Sequence, residues 1–384
     1  MAVPERRSTM TDTPGLNLEG FSAWLAEAHP ELVETGAETG TGVDPAPWSA
    51  TLIAGGRSNL TYRVDGPRVP LIVRRPPLGH VLASAHDMGR EHRVISALAG
   101  SGVPVPPAVD LVDDTEAARV TGTPFFVMHV VDGVVLASPR QNADYTASGL
   151  HGLGLEFAAT LARLHTLDAA SVGLADFGRP DGYLDRQLRT WRRQLEASRS
   201  RDLPELDRLQ QRLEERMPPA GDIRSGIVHG DYRLDNAIIA GPADAPRIAA
   251  ILDWEMATLG DPLVDLGMLG MYWNIASLAP DAVGLTRSAV DPAAGYPEFD
   301  ELVDHYAQAA GIRTPDLTWY RAFAAYKLAV ILEGIHYRYR QGQTLGEGFD
   351  RIGQLVEPLA STGLGHTTDS TTTNSSTTNS TTGV

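Results

Sequence analysis

Residues 229–236 read HGDYRLDN: a histidine, two aspartates, an arginine and an asparagine within eight residues, directly after the apolar pair Ile227–Val228. A carboxylate such as that of Asp231 can orient an attacking hydroxyl and accept its proton. The amide oxygen of Asn236 is the kind of ligand that a hard cation such as Mg2+ takes. Seventeen residues after Asn236 comes Asp253, at the end of the apolar run RIAAIL. That interval suits a β-hairpin returning a second acidic oxygen donor to the loop. A nucleoside triphosphate needs its charge neutralised by Mg2+, so Asn236 and Asp253 are candidate metal ligands and Asp231, kept off the metal, the candidate base. His229 is expected to brace the loop by hydrogen bonding. Taken alone, HGDYRLDN could be a turn, rich in Asp and Asn because these residues hydrogen-bond their own backbone. The acidic residue closing a second apolar strand is what separates a site from a turn.

Such a loop needs a second set of elements to hold the phosphates. Residues 49–134 supply about five short β-prone runs and one helix. GGRSN (55–59) sits between two of these runs and reads as a hairpin whose backbone N–H groups can approach phosphates, with Gly56, Ser58 and Asn59 as contacts. Any hairpin can carry a Gly pair, so this signal is weak by itself. LIVRRPP (71–77) is a strand ended by prolines. Period-2 alternation puts Arg74 on the face of Ile72 and turns Arg75 away, which makes Arg74 the candidate cation for the phosphates. Residues 83–99 form a helix with Met88, Val94, Ile95 and Leu98 on its apolar side, and Glu91 on it can pair with that cation. FFVMHVVDG (125–133) is a strand and connector whose backbone around Met128–Val130 would meet the adenine.

A leading helix is expected over 18–29, with Phe21, Leu25 and Ala28 on one side. After Gly133 the pattern becomes helical, over 149–167, 185–216 and most of 262–360, interrupted by the apolar runs GIVHG and RIAAILDW. The expected architecture is α+β and bilobal, with a cleft between a small β-rich lobe (16–134) and a larger helical lobe (135–362). Residues 1–15 are expected to be loose, and 363–384, nearly all Thr, Ser and Asn toward the end, to be a disordered tail.

GGRSNLTYRV, LIVRRPP, REHRVISAL, TPFFVMHVVDG, LARLHTLD, HGDYRLDN and ILDWEMATLGDPLVDLG follow one another over about residues 48–340. In this order they resemble the aminoglycoside phosphotransferase/choline kinase family, in the branch related to the kinase-like domains fused to some acyl-CoA dehydrogenases. The H-x-D-x-x-x-x-N spacing of His229, Asp231 and Asn236 matches the catalytic loop of protein-kinase-like enzymes. The resemblance implies a protein-kinase-like fold, ATP and Mg2+ as cofactors, Asp231 as base, Asn236 and Asp253 as metal ligands, and structural roles for Asp261 and Asp265. Three departures stand out: Arg in the cation strand where many relatives have Lys, His129 where an acidic residue is common, and DWE in place of DFG, with no APE segment. Arginine is a poorer point charge but a good phosphate fork. A nucleotide-binding pseudokinase is the alternative; the retained Asp231 argues against it. A metal-dependent hydrolase would need more histidine ligands than this cluster offers.

The expected acceptor is a small hydroxyl compound. GMLGMYWNIASLA (267–279) and WYRAFAAYKLAVILEGIHYRYRQG (319–342) are apolar, aromatic and partly basic. Glu255, Tyr272, Trp273, Tyr326, His336 and Arg338 are the candidate acceptor-site residues. Such walls favour a hydroxylated metabolite or hydroxyacyl thioester over a polycationic aminoglycoside. The net charge of −16 argues against a general nucleic-acid binder. The absence of cysteine excludes disulfides, Cys-ligated zinc and thiolate catalysis. No run reaches the roughly 18 apolar residues of a membrane span, and no secretory signal is visible, so the expected location is cytoplasmic.

Overall fold

In the computed structural model the described residues are 13–33, 47–53, 59–78, 87–220, 224–278, 288–343 and 349–368. Strict alternation organises the first lobe. Strands β1 (Ser49–Leu52), β2 (Leu60–Asp65), β3 (Leu71–Arg75), β4 (Ala108–Val112) and β5 (Phe125–His129) form one antiparallel sheet in the order β1-β2-β3-β5-β4. Leu71, Val73, Phe125 and Val127 cover one face together with Tyr62 and Val64. Ile72, Phe126 and Met128 cover the other and join the core of the second lobe.

Helix α1 (Leu18–Ala28) lies on the first face, burying Leu18, Phe21 and Leu25 at helical spacing. Ala28, expected on the same side, is exposed, because the helix ends there. Helix α2 (Met88–Leu98) covers the second face and starts at Asp87, whose carboxylate accepts from the Arg90 amide at 3.0 Å. Its buried stripe of Met88, Val94, Ile95 and Leu98 also contains Glu91, a charge that needs a partner there. This helix is fastened to the second lobe. Arg90 Nη2 donates to the carbonyls of Phe177 (2.6 Å) and Ala257 (3.0 Å), and Arg93 Nη2 to that of Gly173 (2.9 Å).

The second lobe carries two small sheets. Strands β6 (Val134–Val135), β8 (Ala237–Ala240) and β9 (Arg247–Ile251) pair in the order β6-β8-β9, and β7 (Gly226–Val228) pairs with β10 (Thr258–Gly260). Around them lie α3 (Ala147–Thr166), α4 (Tyr183–Ser198), α5 (Pro204–Glu215), α6 (Leu263–Trp273), the short α7 (Ile275–Leu278), α8 (Phe299–Ala310), α9 (Thr318–Arg340) and α10 (Val356–Thr368). The fold is the α+β, two-lobed arrangement expected. Helix α9 is its axis, buried along most of its length. Helix α6 approaches it so closely at Gly267 that a Cβ there would stand 2.6 Å from the Tyr320 carbonyl oxygen. Among the described residues no helix is long and apolar enough to cross a membrane.

Four boundaries differ from expectation. The helix read over 185–216 is two helices, because Pro204 lacks the N–H that a continuous helix needs and opens α5 instead. Val134, assigned to the first lobe, pairs with Ile239 of the second. Residues 13–15, expected to be loose, are held: Thr13 bridges Leu16, Tyr62 Oη donates to the Pro14 carbonyl at 2.6 Å, and Arg75 Nη1 to the Gly15 carbonyl at 2.6 Å. The disordered tail expected from 363 begins later, since α10 continues to Thr368. Gly363 lies where a Cβ would be 2.5 Å from Leu209 Cδ2, so this turn packs on α5. Residues 1–12 and 369–384, the remainder of both expected tails, lie outside the described residues.

The break between α4 and α5 has a structural use. Its residues meet Glu333, fully buried on α9: Ser200 Oγ donates to Oε1 at 2.9 Å, and Arg201 Nε and Nη2 to Oε2 at 3.1 and 2.9 Å. Removing one partner of a buried pair leaves an uncompensated charge. Arg201→Ala should therefore lower unfolding free energy by about 3 kcal/mol, measured by urea denaturation. Adding Glu333→Gln to that variant should recover part of the loss.

Candidate active site

The loop between β7 and β8 is built on one carboxylate. Asp265, fully buried in the first turn of α6, accepts from the backbone amides of His229 (2.6 Å) and Gly230 (2.8 Å) and lies 3.2 Å from His165 Nε2. Burial acts to raise its pKa, but His165, His229 and the amide hydrogen bond outweigh it and hold the carboxyl below its usual range. Asp261 accepts from the Leu263 amide (3.1 Å) and from Tyr320 Oη (2.6 Å). Both aspartates thus serve the scaffold, as the resemblance implied. His229 braces the loop as expected: Nδ1 accepts from the Asp231 amide at 3.2 Å, which leaves Nε2 to donate to the Leu252 carbonyl at 3.0 Å. Gly230 has φ +90°, and a Cβ on it would meet Met256 Cβ at 2.7 Å, so glycine is required twice over.

Asn236 Nδ2 donates to the Asp231 backbone carbonyl (2.9 Å) and to Asp231 Oδ2 (3.1 Å). The amide nitrogen is therefore engaged by the candidate base, and the amide oxygen remains as a ligand. Asp253 follows β9 as the hairpin argument requires. It holds φ +64°, a left-handed conformation that non-glycine residues adopt rarely and that recurs at functional sites. Arg74 Nη2 donates to Asp253 Oδ1 at 2.6 Å, Arg74 Nε to Glu91 Oε2 at 2.9 Å and Nη1 to Thr61 Oγ1 at 3.2 Å. Burial pushes the Glu91 carboxyl up to about 7 against the pull of the Arg74 charge. Arg75 turns away, to the carbonyls of Gly15, Pro76 and Thr121. The alternation in LIVRR therefore picked the arginine that faces the cleft.

These groups border a cavity of about 650 Å³ between the lobes. Arg74, Glu91, Asn236 and Asp253 line it, together with Met128, His129 and Val130 of the connector. Its other walls include Ile72, Ile95, Val135, Ile238 and Leu252, an apolar slot with a polar end. Among the described residues no group of three or more His, Asp or Glu is placed to hold a metal by itself. One carboxylate and one amide oxygen are donors of the kind that a Mg2+ arriving with a triphosphate could use. Gly56 and Ser58 lie outside the described residues. Asn59 is buried and its Nδ2 donates to Glu255 Oε2 at 3.1 Å, tying the chain just before β2 to the segment after Asp253. Glu255, expected in the acceptor pocket, thus faces the first lobe instead.

Of the other acceptor candidates only Tyr272 reaches the loop. Its ring lies 4.3 Å beneath the Arg233 guanidinium, and its hydroxyl interacts with Asp231 and Arg233. Burial, reinforced by the Asp231 charge, keeps that phenol protonated. Trp273 is core, donating from Nε1 to the Pro297 carbonyl at 2.9 Å. Tyr326 turns to Gln210 Oε1 on α5 (2.9 Å). His336 packs on Gly353, where a Cβ would be 2.6 Å from its ring, and Arg338 is exposed near the end of α9. The reason is angular: consecutive helix positions diverge by about 100°, so Trp273 cannot share the direction of Tyr272, nor Tyr326 that of Lys327. Lys327, not anticipated, donates from Nζ to the Gly230 carbonyl at 3.0 Å. A lone cation inside AFAAYKLAVIL was the available signal, since a buried charge demands a partner. Arg233, paired with Asp235, was also not singled out, although both lie inside the quoted motif.

The comparisons agree with this geometry. The phosphotransferase enzyme family profile matches residues 49–323. Acyl-CoA dehydrogenase family member 11 of Gallus gallus is 35% identical over 317 residues, which cover 80% of this chain and 39% of that protein. The chain thus spans about two fifths of the length of this relative. A structure from Ralstonia eutropha, named as an aminoglycoside phosphotransferase, superposes with a TM-score of 0.71 at 30% identity, covering 92% of this chain and 98% of that one. The GDP complex of aminoglycoside 2'-phosphotransferase-IIIa shares the fold at 15% identity, with a TM-score of 0.57 and coverage of 91% and 99%. Sequence profile, fold and the arrangement around Asp231 converge: the chain belongs to the phosphotransferase enzyme family, with its kinase-like fold.

Proposed function

We propose that the protein moves the γ-phosphate of ATP to a hydroxyl of a small metabolite, with a hydroxyacyl thioester as the favoured acceptor. One observation carries the reading: Arg74, Asn236 and Asp253, from β3, the loop after β7 and the end of β9, line one interlobe cavity, and Asn236 holds Asp231 beside it. The adenine would enter the apolar slot beside Met128 and Val130. Arg74, held by Glu91, would meet the phosphates with two-pronged donors. Asn236 and Asp253 would hold Mg2+, which supplies charge neutralisation on the phosphates when bound. Asp231, fixed by Asn236 and Tyr272, would align the acceptor hydroxyl and take its proton as the phosphoryl group transfers. The protein would work in the cytoplasm on a soluble small molecule, not on nucleic acid.

Two observations favour the acceptor class. Among the described residues, the cations beside Asp231 are Arg233 and Lys327, and Asp235 is already paired with Arg233, which favours an acceptor other than a polycation. Two relatives at 35% and 34% identity are named as acyl-CoA dehydrogenase family members, a name that points to acyl thioesters.

ADP release from Mg-ATP against hydroxyacyl-CoA esters, free hydroxy acids, choline-like alcohols, sugars and aminoglycosides tests the reading. Turnover should appear with the hydroxyacyl compounds; turnover confined to aminoglycosides, or resistance to them conferred by the gene, would sink the acceptor assignment. Asp231→Asn should lower kcat on the order of 10³-fold while Mg-ATP still binds in calorimetry. Arg74→Met removes a charged hydrogen-bond donor and should weaken Mg-ATP binding about 10- to 100-fold; unchanged affinity would remove Arg74 from the phosphate site.

A further inference from the structure

The chain contains 32 Lys and Arg residues, and a single one of them, Lys327, is lysine. Everywhere else a cation is needed the sequence uses arginine, including at Arg74. The exception is also placed unlike a surface lysine. Lys327 lies mid-way along α9 with 5% of its surface exposed, its Nζ 3.0 Å from the Gly230 carbonyl oxygen and 5.3 Å from the centre of the Trp191 ring on α4. Asp231 and Asp265 are the carboxylates whose charge it feels.

The bond to Gly230 falls on a sensitive peptide. Gly230, at φ +90°, has no side chain to limit the rotation of the 230–231 peptide, and that rotation would swing Asp231. The amide end of Gly230 is held by Asp265 at 2.8 Å, and the carbonyl end is held by Lys327. A planar guanidinium is larger than an ammonium and spreads its donors over a fork, whereas this position offers one carbonyl in a closed setting between α9 and α4. An ammonium meets that demand with one compact donor group.

We propose that Lys327 is a positioning residue for phosphoryl transfer: by holding the Gly230 carbonyl it fixes the peptide that aims Asp231 at the acceptor hydroxyl. This rests on Asp231 acting as the base. Lys327 does not line the cavity bordered by Arg74, Asn236 and Asp253, so its loss is expected in kcat and not in nucleotide affinity.

The chain has no cysteine, which permits a direct test. Lys327→Cys introduces the sole thiol, and alkylation with 2-bromoethylamine under mild denaturation, followed by refolding, rebuilds a lysine-like ammonium at that position. Lys327→Cys should lower kcat on the order of 10²-fold, as expected for a misaimed catalytic group, with KM for Mg-ATP changed by less than about twofold. Aminoethylation should restore kcat to within about threefold of wild type carried through the same treatment. Lys327→Arg, which keeps the charge but not the compact donor, should remain impaired. If circular dichroism shows that Lys327→Cys does not refold, Lys327→Met, of similar length, takes its place in the kcat measurement. Wild-type-like kcat in the folded variant, a loss expressed only in nucleotide KM, or a loss that aminoethylation leaves in place would each overturn the proposal. If wild type phosphorylates no compound in the panel, the acceptor reading fails alone, and slow hydrolysis of Mg-ATP, with water as acceptor, carries the same comparison. A wild type that neither transfers nor hydrolyses overturns both.

Discussion

The buried carboxylate of Asp265 is the constraint from which the working end of this molecule is built. A carboxylate in the first turn of a helix, with two loop amides and an imidazole directed at it, has its charge fully answered without water. It can therefore be buried, and because it is buried its geometry is not negotiable. The loop from His229 to Asn236 inherits that rigidity. His229 passes it to the end of β9 through the Leu252 carbonyl, and Asn236 passes it to Asp231. A site that needs oxygen atoms placed within fractions of an ångström is thus referred to a helix in the core.

The second constraint joins the lobes. Arg74 stands on a strand of the small lobe, yet its guanidinium is divided between Glu91 of that lobe and Asp253 of the other. The three charges come from three elements, and the cavity cannot open far while the Arg74–Asp253 contact holds. Asn59 and Glu255 make a second, parallel connection. The cleft is accordingly a place where polar atoms from both sides are already paired, and a bound nucleotide would enter a field that is set in advance.

Much of this was legible in the sequence because the relevant periods are short. Two-residue alternation separated Arg74 from Arg75, and the following helix offered Glu91 as a partner for that cation, although its burial was not legible. The hairpin between Asn236 and Asp253 followed from its length and its apolar strands. The acceptor side was not legible for a physical reason. Helix α9 is buried almost all round, so hydrophobicity does not say which of its faces meets the cleft. The same holds for α6, so large aromatics attracted attention at Trp273 and Tyr326, where they fill core, while the smaller irregularity at Lys327 passed unnoticed. Pro204 was similarly outweighed by the continuous amphipathic pattern on both sides of it, and the end of α10 by the Thr-rich composition that follows.

The attachment of α2 to the second lobe has a further consequence. In kinases governed by switching, the helix bearing the glutamate swings, and control consists of moving it in and out. Here Arg90 and Arg93 fasten that helix to backbone carbonyls of Phe177, Ala257 and Gly173, groups that cannot be repositioned by a change of rotamer. A helix tied in this way keeps Glu91 beside Arg74 by main-chain geometry of the second lobe, so the ion pair is set by the packing of the two lobes and not by a rotamer.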